Sequence, residues 1–373
     1  LNRDDPTFNL WKTLRDDLSE GREPGPINIQ KYPGGFGFNG IPSFFRLPIA
    51  LTPEDLVAGE VDVLIMGEHT DMGGGMRGTA FGPNAVRNSN RYLPWGVYTG
   101  PHGHVMVDPF KELTIVDYGD APIEPWSTER SVGAIREHLR DALAVETKPG
   151  RRVIPILVGG DHSLLYSNAA AMADTYGKES FAVVHFDAHQ DGSRAFLGHL
   201  WGHGQPIWAL MREKHLRGDQ FIQIGLRGFR PDEEDLKWMR DEGFRYHHMA
   251  EIERRGFEAV MNDVLKEAKQ SDKIYISVDI DVLDPAYAPG TGTPEPGGLT
   301  TRELFPIVRR LCAETNVIGF ELVELGPLVD PTYVSAQAAH RIIRECLTGL
   351  AMNKVGLTEE HYLSPFTVDD GVE

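Results

Sequence analysis

Six short apolar runs punctuate the chain, most of them closing on glycine or an acid. They are "VDVLIMG" (61–67), "RRVIPILVGG" (151–160), "SFAVVHFD" (180–187), "QFIQIGLRG" (220–228), "KIYISVDID" (273–281) and "NVIGFELVEL" (316–325). Runs this short, rich in β-branched residues, predict strands buried on both faces, as parallel strands in a covered sheet are. Between them the period changes. Residues 129–146, 255–270, 300–314 and 335–351 carry apolar positions three to four apart, the stripe of an amphipathic helix. Strands alternating with helices predict an α/β fold around a mostly parallel sheet. Residues 1–55 have no sustained period and are dense in Gly and Pro, so they read as a loop-rich extension. Within them "IPSFFRLPI" has enough apolar mass to dock on the core or on a neighbouring subunit. Residues 56–355 form the expected catalytic domain and 356–373 a solvated tail.

In such sheets ligands gather beyond the carboxyl ends of the strands. Polar residues cluster there in this chain. Asp161-His162-Ser163 follows one run, Asp187-Ala188-His189-Gln190-Asp191 the next, Asp279-Ile280-Asp281 a third, and Glu324 closes the last. Side chains alternate along extended chain, so Asp187, His189 and Asp191 can face one way, as can Asp279 and Asp281. Each motif alone has an ordinary reading as a capped turn. Together, at the ends of apolar strands, they bring four carboxylates and two imidazoles to one place. Four such carboxylates repel, and some would have to take up protons. Two divalent cations balance them, and the mixed oxygen and nitrogen donors suit Mn, Fe, Co, Ni or Zn better than Ca or Mg.

Charge sharpens this picture. The chain has 37 Lys plus Arg against 55 Asp plus Glu, a net charge of -18, which repels nucleic acid and attracts cations. No run approaches the roughly 18 apolar residues of a membrane span. Cys312 and Cys346 are the only cysteines among the 373 residues, and the opening stretch has no basic-then-apolar pattern. The expectation is a cytoplasmic protein.

The motifs resemble those of the ureohydrolase family, the arginases, agmatinases and related guanidine-cleaving amidinohydrolases. The resemblance rests on "GGDHS" (159–163), "FDAHQD" (186–191), "HGQP" (203–206), "SVDIDVLDPAYAPGTGTPEPGGLT" (277–300) and "GFELVELGP" (319–327). "GIPSFFRLP" (40–48) and "GTAFGPNAVR" (78–87) are similar to the agmatinase branch. The family implies a three-layer α/β/α domain, a centre of two manganese or nickel ions, and homo-oligomers, trimers or hexamers, in some members with a related subunit. By the resemblance His162, Asp187, Asp191 and Asp279 hold one ion, and His189 and Asp281 the other, with Asp187 and Asp279 bridging. His203 matches a proton-shuttling histidine and Glu324 the carboxylate that pairs with the guanidinium. Asp191 is placed for general acid–base work.

Three departures bear on substrate. The loop "GSRAFLGHLWG" (192–202) lacks the Asn that arginases use for the substrate carboxylate. Glu68, His69 and Thr70 occupy unusual places after the first strand. Trp201 and Trp208 flank His203. An indole face attracts a cation, so Trp201 is expected to wall a small substrate pocket. The loops and extension are also similar, more loosely, to nickel-using guanidine hydrolases. The sequence therefore ranks free guanidine, a small substituted guanidine or a biguanide first. Agmatine or a guanidino acid comes second. Two other classes stand beside this reading. A zinc deacetylase of the same fold would use one metal and a tandem His-His, for which "YHH" (246–248) is the only match. A silent partner subunit would lack an intact ligand set.

Overall fold

The computed structural model describes residues 1–14, 18, 20–30, 40–74, 76–89 and 100–367. Parts of the expected extension (31–39) and tail (368–373) lie outside the described residues. Among the described residues, eight strands form one sheet in the order β2-β1-β3-β8-β7-β4-β5-β6. They are β1 (Val63–Glu68), β2 (Ile115–Asp120), β3 (Ile154–Gly159), β4 (Ala182–Phe186), β5 (Phe221–Ile224), β6 (Arg245–His247), β7 (Ile274–Asp279) and β8 (Val317–Val323). Every pairing is parallel.

Alternation along the strands sorts their side chains into two cores. Val184 and Phe186 join Ile276, Val278, Phe320 and Leu322 on one face, covered by the helices Phe257–Ala268, Thr301–Glu314 and Val334–Lys354. Val183 joins Leu64, Leu157 and Tyr275 on the other, covered by Thr128–Ala144, Leu164–Tyr176 and Pro206–Arg212. The result is three layers, with a sheet whose central strands are buried on both faces. That is why those strands are continuous apolar runs.

The two strands not foreseen, β2 and β6, lie at the two edges of the sheet. β6 has three residues, two of them half-buried, and carries too little apolar pattern to stand out. The helix Leu164–Tyr176 is missed for the opposite reason. Leu164 to Ala173 are all buried, so no polar stripe marks its period.

The segment 40–50 packs on the first face. Phe44 is fully buried, its N–H donates to Asp117 Oδ2 at 3.0 Å, and the Arg87 guanidinium lies 4.2 Å from its ring centre. No helix among the described residues is long and apolar enough to cross a membrane.

Candidate metal centre and active site

Register places the strand ends. Val158, Leu322, Val278 and Phe186 form one row across β3, β8, β7 and β4. Asp187 and Asp279 each lie one residue beyond that row, Glu324 two beyond, and His162 four beyond, entering the helix Leu164–Tyr176. Four adjacent central strands thus deliver their terminal polar residues to one spot.

His162 Nδ1 lies 3.0 Å from Asp187 Oδ2, 2.9 Å from Asp191 Oδ2 and 3.2 Å from Asp279 Oδ2. His189 Nδ1 lies 3.4 Å from Asp187 Oδ1 and 3.1 Å from Asp281 Oδ2. All six side chains proposed from sequence as ligands therefore converge. Backbone N–H groups hold the carboxylates in place: His189 N–H donates to Asp187 (2.6 Å), Asp281 N–H to Asp279 (2.8 Å) and Ala188 N–H to Asp281 (3.1 Å). Asp191 and Glu324 both sit at positive φ, 50° and 62°, a strained conformation for a residue with a Cβ.

The electrostatics are those of a site short of positive charge. Burial and the neighbouring Asp187 push Asp191 up to about 6. Burial, Asp281 and Asp187 push Asp279 well above the usual range. Burial opposes charge on His189, yet its bonds to Asp187 and Asp281 carry it up to about 12. Without cations the only positive charge beside the carboxylates comes from protons on the imidazoles. His162 Nδ1 and Asp187 Oδ2 are buried with no hydrogen bond among the described residues. Unpartnered donor atoms at the centre of four carboxylates are what a cation would satisfy, so the residues fit a metal centre.

Behind the cluster lies a second set of polar residues. His162 Nε2 donates to Ser277 Oγ (2.9 Å), whose hydroxyl donates to Glu321 Oε1 (2.7 Å). Glu321 Oε2 also accepts from Tyr275 (2.7 Å) and Asn168 (2.8 Å), and Asn168 donates on to Glu68 (2.9 Å). Glu68 is fully buried, and burial lifts it to about 8. The unusual Glu68 thus ends a chain of hydrogen bonds that holds the His162 ring with Nδ1 facing the cluster. Ser277 and His185 each precede a clustered aspartate by two residues and share its face. A polar residue inside an apolar strand was the available signal for both. Glu321, three residues before Glu324 and inside the apolar strand β8, carried the same marker.

Glu324 Oε1 accepts from His162 N–H (2.8 Å) and from His203 Nδ1–H (2.9 Å). Burial opposes charge on His203, but Glu324, Asp191 and Asp161 outweigh it and raise the imidazole to about 9. The glycine-rich loop after β1 presses on this pair. A Cβ at Gly74 would come within 3.1 Å of the His203 ring, a contact tight enough to push on the imidazole.

A cavity of about 490 Å³ opens over the cluster, lined by His189, Asp191, His203, Asp279 and Thr293. Arg194, Arg230 and Trp238 line its outer part. Trp201 is absent from it. Its ring packs on Tyr166 at 4.5 Å and faces a neighbouring pocket, while Phe196 and Leu197 are 68% and 83% exposed. The structure thus places Trp201 in an adjoining pocket, which shares His203 and Gly204 with the cavity, and not over the cluster itself. A buried aromatic neighbour, Tyr166, offered the indole more apolar contact than the polar cavity. The aromatic residue that does line the cavity, Trp238, comes from the helix Glu233–Asp241, distant in sequence. It packs against Gly192, where a Cβ would meet the indole at 2.7 Å.

An all-parallel three-layer sheet with carboxylates and imidazoles at its central strand ends defines a metal-binding α/β enzyme class. Within that class the comparisons are specific. The arginase family model matches residues 61–349, and the chain belongs to the arginase family. It is 34% identical over 312 residues to guanidinobutyrase of Pseudomonas aeruginosa, covering 83% of this chain and 92% of that protein. It is 33% identical over 310 residues to mitochondrial agmatinase of Gallus gallus, covering 83% and 85%. Among solved structures, proclavaminate amidino hydrolase from Streptomyces clavuligerus superposes with a TM-score of 0.73 at 32% identity, covering 86% of this chain and all of that one.

Proposed function

We propose that the protein is a binuclear-metal amidinohydrolase that releases urea from a guanidine compound. The observation that carries this is the convergence of His162, Asp187, His189, Asp191, Asp279 and Asp281 beside the Glu324–His203 pair. Its two ions are of the Ni2+ or Mn2+ kind, held as the sequence motifs imply. When bound, divalent cations acidify water enough to attack at neutral pH a carbon that is otherwise a poor electrophile.

The chain's own residues supply the rest. Glu324 Oε1 is held by two N–H donors, which leaves Oε2 to orient the planar cation by charge-assisted hydrogen bonds. Asp191, at the cavity face of the cluster, would accept a proton from the attacking water and return one. His203, kept protonated by Glu324, donates to the departing nitrogen. The C–N bond to that nitrogen breaks, giving urea and an amine, or ammonia from guanidine itself.

For the rest of the substrate, the cavity favours a linear guanidino compound of the guanidino-acid or agmatine type. Its volume of about 490 Å³, with no Trp201 among its lining, leaves room for a tail. Arg194 lines the cavity and pairs with no acid among the described residues, which suits a carboxylate at the tail's end. Relatives named guanidinobutyrase and agmatinase accord with this. A second reading keeps free guanidine or a small substituted guanidine or biguanide, because the glycine-rich loop lies tight on His203. Urea release from guanidine, methylguanidine, a biguanide, agmatine, guanidinobutyrate and arginine, with Mn2+ and Ni2+ each supplied, tests both. No urea from any of them, with two metals bound per chain, would refute the amidinohydrolase reading. The intact ligand set argues against a silent subunit, and a cluster for two ions argues against a deacetylase. Cytoplasmic location and assembly as a homo-oligomer remain part of the proposal.

A further inference from the structure

A third imidazole stands beside the cluster. His185, on β4, is fully buried and stacks on His162 with ring centres 5.0 Å apart and planes 19° from parallel. Its Nε2 faces Asp187 Oδ2 at 3.3 Å, and the ring lies close enough to His162, Asp187 and Asp191 to be counted as a fourth donor to one ion. Proximity alone does not say whether it offers a lone pair or a proton. Its other nitrogen does.

Gln223 Nε2 lies 2.8 Å from the carbonyl oxygen of Gln190 and 3.2 Å from His185 Nδ1. A carbonyl only accepts, so the group facing it is the amide NH2 of Gln223, not its oxygen. The second hydrogen of that NH2 points at His185 Nδ1, which must accept it with its lone pair. The imidazole proton of neutral His185 is then on Nε2. Asp187 Oδ2 and His185 Nε2 are both buried and make no hydrogen bond of ordinary geometry among the described residues, although Asp187 Oδ2 also lies 3.0 Å from His162 Nδ1. A lone pair at Nε2 would face a carboxylate oxygen, which is repulsive; an N–H there is attractive.

We infer that His185 is a positioning residue that donates Nε2–H to Asp187 and is not itself a ligand, its tautomer set by Gln223 and the Gln190 carbonyl. With cations bound, the two stacked imidazoles would divide the work: His162 would turn a lone pair to the cluster, His185 a proton. This rests on the metal-centre reading above. It adds that the bridging aspartate is held in orientation from the side opposite His189 N–H.

The test uses full-length protein and metal affinity, measured for Mn2+ and Ni2+ by competition with a chelator, with bound metal counted at saturation. The parent should bind two ions; if it binds none, the metal-centre reading fails, independently of His185. His185→Phe keeps the stacked ring but removes the donor. It should still bind two ions at saturation with affinity tenfold to a hundredfold weaker, the range for lost orienting partners. His185→Gln places an amide N–H near the Nε2 position and should restore most of that loss. Gln223→Leu leaves His185 in place but frees its tautomer, and should weaken affinity by less than His185→Phe. If His185→Phe matches the parent, the residue only packs and the inference is overturned. If His185→Gln and His185→Phe both lose one ion per chain, His185 is a ligand and the inference is overturned. If His185→Phe fails to fold, Gln223→Leu decides: parent affinity there overturns the tautomer assignment.

Discussion

Two buried groups of charged side chains in this molecule are built on opposite principles. One is the Asp187–Asp191–Asp279–Asp281 cluster at the strand ends. The other centres on Glu345, between the helices Thr301–Glu314 and Val334–Lys354. Glu345 is 1% exposed, its oxygens accept from Arg309 and from Arg341 Nε (2.7 Å), and His102 Nε2 lies 3.0 Å from Oε1. His104 N–H donates to His102 Nδ1 (3.1 Å), and Arg309 and Arg341 also approach His102 Nε2, at 3.1 and 2.9 Å. Burial would raise Glu345, but His102 and the arginines hold it down at about 2. There the chain supplies its own countercharge. At the strand ends no lysine or arginine among the described residues bonds the carboxylates. Arg227, beside Asp281, spends its donors on backbone carbonyls such as those of Asp281 and Glu295. A buried charge compensated within the chain is part of the scaffold. A buried charge left uncompensated marks a place for something from outside.

The comparison breaks most sharply on metal removal. Dialysis against a chelator should cut urea release at least about a hundredfold, with recovery on adding Mn2+ or Ni2+, because attack by unactivated water is too slow. Thermal stability should rise with metal concentration as well, since ions that bind only the folded state stabilise it. If the Glu345 group were the functional one instead, chelation would leave activity intact.

Glu345→Ala should behave in the opposite way. It strands Arg309, which is 6% exposed, and should cost about 3–5 kcal/mol in denaturant unfolding. Metal count per chain should stay at the parent's value, and a variant that unfolds normally but loses metal would erase the distinction between the two groups.

Glu324→Gln keeps shape and loses charge. A hydrogen bond to a charged group contributes about 1.5–3 kcal/mol, so kcat/KM should fall about tenfold to a hundredfold with metal content unchanged. The same variant removes the partner that keeps His203 charged. The parent should lose activity as pH rises through about 9, where His203 deprotonates, and in Glu324→Gln that limb should move down towards the ordinary histidine value near 6.5.

The pH dependence of stability should carry opposite signs in the two groups. Glu345 is depressed from 4.5 to about 2, so its contribution is present above about 4.5 and is lost as pH falls towards 2. Asp191 is raised from 3.8 to about 6 in the absence of cations, so its contribution is present at low pH and is lost as pH rises through about 6. Stability curves from pH 3 to 8 of chelated parent, Asp191→Asn and Glu345→Gln should separate the two. Equal slopes for all three would remove the contrast. The smallest effect expected is for Arg194→Ala, an exposed charge at the cavity mouth. It should raise KM for guanidinobutyrate by a few-fold, in line with about 0.2–1 kcal/mol for exposed ion pairs, and leave guanidine unchanged.

The sequence by itself determined the central strands, the parallel α/β class and the identity of the clustered acids and imidazoles. It could do so because strands buried on both faces must be apolar throughout, which makes each polar residue at their ends conspicuous. His162, Asp187, His189, Asp191, Asp279, Asp281 and Glu324 were all legible in that way. What it could not hold was the order β3-β8-β7-β4, which makes four distant motifs neighbours. Strand order is decided by how helices cover both faces of the sheet, and no local pattern encodes that. The edge strands β2 and β6 and the buried helix Leu164–Tyr176 escaped because their periodicity is short or hidden. Trp201 did not take the place its position suggested, and Trp238, which carried no sequence signal, lines the cavity over the cluster. Closeness of Trp201 to His203 in sequence implied a place in the cavity, yet an indole goes where apolar surface is offered. Only the tertiary structure decided that Tyr166 takes Trp201, while the space above Gly192 takes Trp238.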